Sequence, residues 1–271
     1  MLRLFLEQLL SVVHSERARR FDRDVPPAEH AKRLWESFEW LDMGSPGPRP
    51  YAFAPIRSRP QRTYDPIKDT PDPEGQHIPF VLAQMLARDS SQAELLRDSL
   101  QEFGNASGLF GGLRIRPLGS RADPFQILVD LGGPTRNLID VGYGVSQILP
   151  VIVEMLRSRF PRTFLVQQPE VHLHPRAQAA LASLFARIVR ERSCQVIVET
   201  HSDAFVDRIR SDIRRRVGLQ PEQVQILYFE IERGVANISE LRLDSEGNVT
   251  EAPPSYRQFF LEEERRLLLG E

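Results

Sequence analysis

The residues with chemical reach gather in the second half of the chain. The run Asp140-Val-Gly-Tyr-Gly-Val-Ser-Gln147 leads straight into an amphipathic stretch. Gly142 and Gly144 allow close backbone approach to an anion, Ser146 supplies a hydroxyl, and a helix beginning here presents unpaired N–H groups with a favourable dipole. That makes a phosphate-binding element, although a glycine turn followed by serine is also an ordinary helix start. A second run, Thr163-Phe-Leu-Val-Gln-Gln-Pro-Glu170, is an apolar strand ending in polar residues. Val171-His-Leu-His-Pro175 follows it, and Val198-Glu-Thr-His-Ser-Asp203 closes the next apolar strand. Ligands bind beyond the carboxyl ends of parallel strands, so two polar clusters at successive strand ends converge on one edge. His172, His174, His201 and Glu170 are also residue types that ligate metal, which leaves a metallohydrolase as a remote alternative.

The elements that must position these groups are legible as patterns. Residues 1–43 carry helical spacing, with Leu6, Leu9, Leu10 and Val13 on one face and Leu34, Phe38 and Leu41 continuing it. Residues 44–124 form a proline-rich connection and helical insert: prolines recur to Pro79, helical spacing returns over His77–Phe103, and Gly104–Gly112 reads as a loop. Residues 125–245 alternate strand and helix. Phe125–Leu131 and a short segment to Val141 read as strands, a helix follows Gly144, Thr163–Val166 is a buried strand, and Pro175–Arg192 is a helix with one apolar stripe. Val196–Val198 is another buried strand, Asp203–Arg216 another helix, and Val224–Ile231 with Ala236–Leu243 a hairpin. A helical tail lies in 246–271. The alternation predicts an α/β fold, parallel strands flanked by helices with a C-terminal β-hairpin.

Composition narrows the setting. Cys194 is the one cysteine, which excludes an internal disulfide framework and a thiolate zinc cluster and fits a reducing, cytoplasmic compartment. Glu7 and Gln8 interrupt the apolar start, so it reads as a helix and not as a secretion signal, and no membrane span is expected. A net charge of −2 leaves no global footprint for nucleic acid. DNA contact would have to come from the local run Arg208, Arg210, Arg214, Arg215 and Arg216, which a solvated helix face explains equally well.

Taken in order, Gly-x-Gly-Val-Ser-Gln, strand-x-x-Pro-Glu-x-His-Leu-His-Pro and Glu-Thr-His-Ser-Asp resemble the AAA-type ATPases of the ABC superfamily, the group related to RecF, SMC and OLD-type proteins. Arg57, within Ala54-Pro-Ile-Arg-Ser-Arg-Pro60, resembles a segment that family members carry between their lobes. The resemblance implies a P-loop NTPase core and, as cofactors, ATP and Mg2+. It implies that Gly142, Gly144, Ser146 and Gln147 form the signature motif, which caps the γ-phosphate held by the opposing subunit of a head-to-tail dimer. It further implies that His172 and His174 lie on the loop crossing between the two sites, and that His201 is the switch histidine reading the γ-phosphate.

Two departures qualify this. Gln167 and Gln168 stand where the family's Walker B strand carries a magnesium-holding acid and a glutamate that polarises water. An amide at Gln167 reaches magnesium only through water and brings no charge, and Gln168 is a poor base, leaving Glu170 as the nearby carboxylate of that loop. The chain also contains no Gly-x-x-x-x-Gly-Lys-Ser/Thr, whose backbone and lysine neutralise the phosphates in a P-loop. The N-terminal P-loop lobe is therefore expected before Met1 or on a partner. The expected function is an ATPase subunit working as a dimer or with a Walker A-bearing lobe, in DNA repair or maintenance or in defence against phage. The alternatives are a degenerate subunit that caps ATP without hydrolysing it, and a truncated remnant.

Overall fold

The structure, a computed structural model, describes residues 50–66, 70–88, 90–120, 123–158 and 162–269. The helical reading of residues 1–43 lies outside the described residues.

The site rests on a parallel sheet of three strands, β1 (Tyr51–Phe53), β5 (Thr163–Gln167) and β6 (Gln195–Glu199), with β5 in the middle. Tyr51 pairs with Phe164 on one side of β5, and Phe164 pairs with Val196 on the other. Phe164 and Val166 of β5 point into the core, and Phe53 stacks on Phe164 with centroids 6.2 Å apart. The sequence reading had taken residues 44–79 as extended connection. Three residues are too few to show a strand period, and β1 becomes visible only through the neighbour it pairs with.

Between β1 and β5 run α1 (Ile78–Leu86), α2 (Ser91–Ser107), β2 (Gly112–Pro117), β3 (Phe125–Asp130), the two-residue strand β4 (Arg136–Asn137) and α3 (Tyr143–Arg157). β2, β3 and β4 form an antiparallel sheet, so strand pairing runs across the 124/125 boundary. Two expectations are corrected here. The glycine-rich stretch from Gly104 is not a loop from its start: α2 continues through Ser107. Gly104 is required because a side chain there would collide with the carbonyl and ring of Phe110, and Gly108 ends the helix at φ +75°. The segment leading to Val141 is strand only over β4, after which Leu138–Asp140 forms a 3-10 turn begun by the Asn137 carboxamide, which accepts from the Ile139 N–H at 3.2 Å.

α3 is apolar nearly all round, with Ile148, Val151, Ile152, Val153 and Met155 essentially inaccessible, which marks it as the central helix of the core. Its interior Pro150 closes against Gly75 (φ +79°), where a Cβ would lie 2.5 Å from the proline ring. The one buried charge on α3 is Glu154, which accepts from His77 Nε2 at 3.4 Å and Arg157 Nε at 2.6 Å. Because His77 Nδ1 accepts from the Asp72 N–H, the ring proton is on Nε2. Burial pushes the Glu154 carboxyl up, but the bonds from His77 and Arg157 outweigh it and hold it below the usual glutamate range.

α4 (Pro175–Arg192) lies between β5 and β6 in sequence and buries Ala177, Leu181, Leu184, Phe185 and Ile188, the predicted stripe. α5 (Asp203–Arg214) follows β6 and packs on α4. The predicted hairpin is present as β7 (Ile226–Glu232) and β8 (Val235–Leu243), and β9 (Val249–Glu251) extends it to three strands. α6 (Gln258–Leu269) ends the described chain. Among the described residues no helix is long and apolar enough to cross a membrane.

Candidate functional site

All three parallel strands deliver polar residues at their carboxyl ends. β1 leads to Arg57, β5 to Gln167, Gln168 and Glu170, and β6 to Glu199, Thr200 and His201. The convergence expected from β5 and β6 is thus met, and β1 adds a third contributor.

The β5 exit is backbone-strained. Gln168 sits at φ +41° and His172 at φ +68°, left-handed conformations that non-glycine residues occupy at a cost and that recur at functional sites. The turn is held because Gln168 N–H bonds to the Glu199 carbonyl at 2.8 Å and Leu173 N–H to the Glu170 carbonyl at 2.9 Å. The Gln167 side chain lies on the exposed edge and donates from Nε2 to Glu199 Oε2 at 3.1 Å. A carboxylate therefore stands beside the position where the sequence reading found only amides. One carboxylate and one amide oxygen fit a magnesium ion that takes its remaining ligands from water and phosphate.

Glu170 is buried. Its Oε1 accepts the His201 backbone N–H at 2.7 Å, while Oε2 is buried with no hydrogen-bond partner among the described residues. The carboxylate expected to act on water is instead fixing the start of the His201 loop. The His201 ring is exposed at the edge, and the next residue, Ser202, caps α5 by accepting from Phe205 N–H at 3.0 Å and donates to Gln178 Oε1 at 2.7 Å.

The start of α3 docks on this loop. A Cβ at Gly144 would lie 2.6 Å from the His172 carbonyl oxygen, so only glycine permits the approach. Tyr143 meets the His172 ring edge-on at 5.0 Å. Gly142 is the helix N-cap and has open space where a side chain would be, so close packing does not explain it. Ser146 is largely buried, and its hydroxyl donates to the Tyr143 carbonyl at 2.8 Å. Gln147, read as part of the ligand-capping motif, is 3% exposed and grips the β1 loop instead. Its Oε1 accepts from Arg57 N–H at 3.1 Å, and its Nε2 donates to the carbonyls of Arg57 and Ser58 at 3.4 and 3.3 Å.

The histidine metal centre is not assembled. His174 Nδ1 accepts from Ala177 N–H at 3.4 Å to cap α4, and among the described residues no three His, Cys, Asp or Glu side chains come together to hold a metal ion. The arginine run is divided. Arg210 Nε donates to the Gly247 carbonyl at 2.9 Å and Arg214 Nε to the Glu246 carbonyl at 2.8 Å, so both hold the β8–β9 turn against α5.

Two residues at the strand ends were not singled out as site candidates in the sequence. Glu199 was legible at a strand end but had no evident partner. Arg57 was legible only as part of a segment. It is 2% exposed, donates from Nη2 to the Gln167 carbonyl at 3.2 Å, and leaves Nε and Nη1 buried without hydrogen-bond partners among the described residues. Burial pulls its pKa down to about 10, with the Glu170 charge opposing, so it stays a cation at neutral pH.

The OLD nuclease of Thermus scotoductus (strain ATCC 700910 / SA-01) is 32% identical over 81 residues, which is 29% of this chain. The aligned part is 15% of the length of that relative. Among solved structures, one from a study of ATP-driven dimerization and DNA-stimulated activation of SMC ATPases aligns with TM-score 0.44 at 14% identity, over 69% of this chain and 97% of the other. The Smc head domain with an extended coiled coil from Pyrococcus furiosus aligns with TM-score 0.39 at 15% identity, over 64% of this chain and 38% of the other. These are loose likenesses. The decisive match is to the family described as AAA domain, putative AbiEii toxin, Type IV TA system, whose model covers residues 13–207 and so takes in β1, β5 and β6. This chain belongs to that family and carries its AAA domain.

Proposed function

We propose that this chain is a nucleotide-capping subunit or lobe that senses ATP gripped by a second, Walker A-bearing lobe or subunit. The observation that carries the reading is the Glu170–His201 hydrogen bond, which ties the β5 exit to the β6 exit with the start of α3 docked on the same loop. On this reading the His201 ring donates to the terminal phosphate, and the first N–H groups of α3 cap a phosphate presented across the interface, while the Ser146 hydroxyl, committed to the Tyr143 carbonyl, holds that helix start in shape. Bound ATP and magnesium would supply the charged group that these donors recognise, with Gln167 and Glu199 the residues that would hold the metal.

The same geometry favours capping over hydrolysis by these residues alone. Gln167 and Gln168 are neutral, and the buried Glu170 already accepts the His201 N–H, so it is badly placed to take a proton from water.

A completing lobe would join at β6. Gln195 N–H and the Glu199 carbonyl bond toward β5, and the alternation of a strand directs the N–H and C=O of Val196 and Val198 the other way. No described residue pairs with that edge, and Ile197 is 37% exposed beside it. The family's description as a putative toxin of a Type IV toxin–antitoxin system favours defence over DNA repair.

Titration with ATP and Mg2+ tests the proposal. The chain alone should show no saturable binding. A mixture with a Walker A-bearing relative should bind, and His201→Ala should weaken that binding about tenfold or more. Tight binding by the chain alone would refute the capping assignment, and a stable monodisperse monomer would count against an open β6 edge.

A further inference from the structure

We propose that α6 is a self-association surface, on which a second copy of this chain docks its own α6 in antiparallel orientation. This interface is independent of the capping reading. α6 follows the corner at Arg257, whose guanidinium is held by Asp203 and Asp207 of α5, and no other described element packs along the helix. Leu261, Leu267, Leu268 and Leu269 are 59, 85, 82 and 62% exposed. A helix of 12 residues is marginal in water by itself, and helices of that length keep their form by burying an apolar face. α6 therefore needs a partner that the described residues do not supply.

The charges identify that partner. α6 is acidic before its middle, at Glu262, Glu263 and Glu264, and basic after it, at Arg265 and Arg266. Residues three, four and seven apart share one helix face, so Leu261, Glu264, Arg265 and Leu268 form a single stripe. The charges flanking the stripe are answered inside the helix: Arg266 pairs with Glu263, and Gln258 Nε2 donates to Glu262 Oε1 at 2.7 Å. The two charges within the stripe are not. Among the described residues no ion pair or hydrogen bond reaches the Glu264 or Arg265 side chain, and as sequence neighbours they diverge around the helix and do not face each other.

A second α6 running antiparallel answers both. Aligned about the midpoint between Glu264 and Arg265, the two helices set Leu261 of each copy against the partner's Leu268 and Glu264 against the partner's Arg265, each contact made twice through the two-fold axis. A parallel pair would set Glu264 against Glu264 and Arg265 against Arg265, with the helix dipoles also opposed to the pairing. The stripe is thus self-complementary in one orientation, whereas a purely acidic or purely basic partner would meet only half of it. Each helix is about 18 Å long, so the interface is smaller than a standard one and the dimer is weak.

Sedimentation equilibrium of the full chain measures the association. Glu264→Arg and Arg265→Glu should each weaken it about tenfold, since each turns two attractions into repulsions. An equimolar mixture of the two variants, and the double variant carrying both changes, should regain the wild-type affinity. Leu268→Ala should weaken association by about tenfold or more. All four residues of the stripe are exposed, so every variant should melt as the wild type does in dilute solution. Association through the β6 edge would ignore these charge changes. Unchanged association in Glu264→Arg, a mixture no tighter than its separate variants, or a wild type that stays monomeric at its highest soluble concentration would overturn the proposal. So would a lowered melting temperature of Leu268→Ala with no change in association, which would mean that another part of the same chain covers α6. The ATP titration that tests capping shares no readout with these measurements.

Discussion

The two ends of α3 obey different rules. From Ile148 to Leu156 the helix is packed on every side by apolar groups, and its single charge, Glu154, is answered by His77 and Arg157. Near its start the same helix packs against the left-handed His172 through a glycine demanded by close approach, and Gln147 grips the chain at the buried Arg57. Satisfied packing makes a rigid body. Strain and unpaired polar atoms concentrate at the adjoining edge, where the polar strand ends gather.

The largest effect should come from breaking the rigid end. Ile152→Ala removes a fully buried side chain and should destabilise the fold by about 2–5 kcal/mol in denaturant unfolding. If the contrast is real, amide hydrogen exchange at His201 should change in it no more than exchange across the whole sheet.

Glu154→Gln probes the satisfied charge, and should lose about 1.5–3 kcal/mol at neutral pH. Its pH signature is the sharper test. Because the folded carboxyl lies below its ordinary value, wild-type stability is fully present above the usual glutamate range and falls as pH drops toward the folded pKa. The glutamine variant should lack that acid limb, and an unchanged profile would show that Glu154 is not the group responsible.

Gly144→Ala attacks the edge. A methyl 2.6 Å from the His172 carbonyl forces the loop or the helix start to move, at about 1–3 kcal/mol. The amide shifts in NMR should centre on residues 168–174 and spare α3 beyond Pro150. Shifts spread evenly along α3 would erase the distinction between its ends.

The smallest effect should be Gln168→Gly, where relief of the left-handed strain is partly offset by the flexibility glycine adds to the unfolded chain, for a net gain under about 1 kcal/mol. A loss of stability there would mean that the glutamine side chain does more than fill its place in the turn.

Much of this was readable from residues alone. The stripe of α4, the start of α3 at the Gly142–Gly144 turn and the hairpin of β7 and β8 follow from periods of 3.6 and 2 that local sequence carries in full. The polar clusters at Glu170 and His201 likewise announced where the strand ends converge, because residue type and order at strand ends are local facts. β1 was not readable, since three residues have no period, and neither was the helical state of Gly104, which depends on Phe110 folding back over it.

Residue identity therefore determined the family, the parallel strand–helix alternation and the set of polar groups at the strand ends. What only the tertiary structure decided was how those groups are spent. Gln147 holds the chain at Arg57, Glu170 holds the backbone of His201, and Glu199 stands beside Gln167. Each of these pairings joins residues 31 or more positions apart, and a hydrogen bond over such a separation is specified by the packing of the elements that carry its two ends and by nothing in the local run of either.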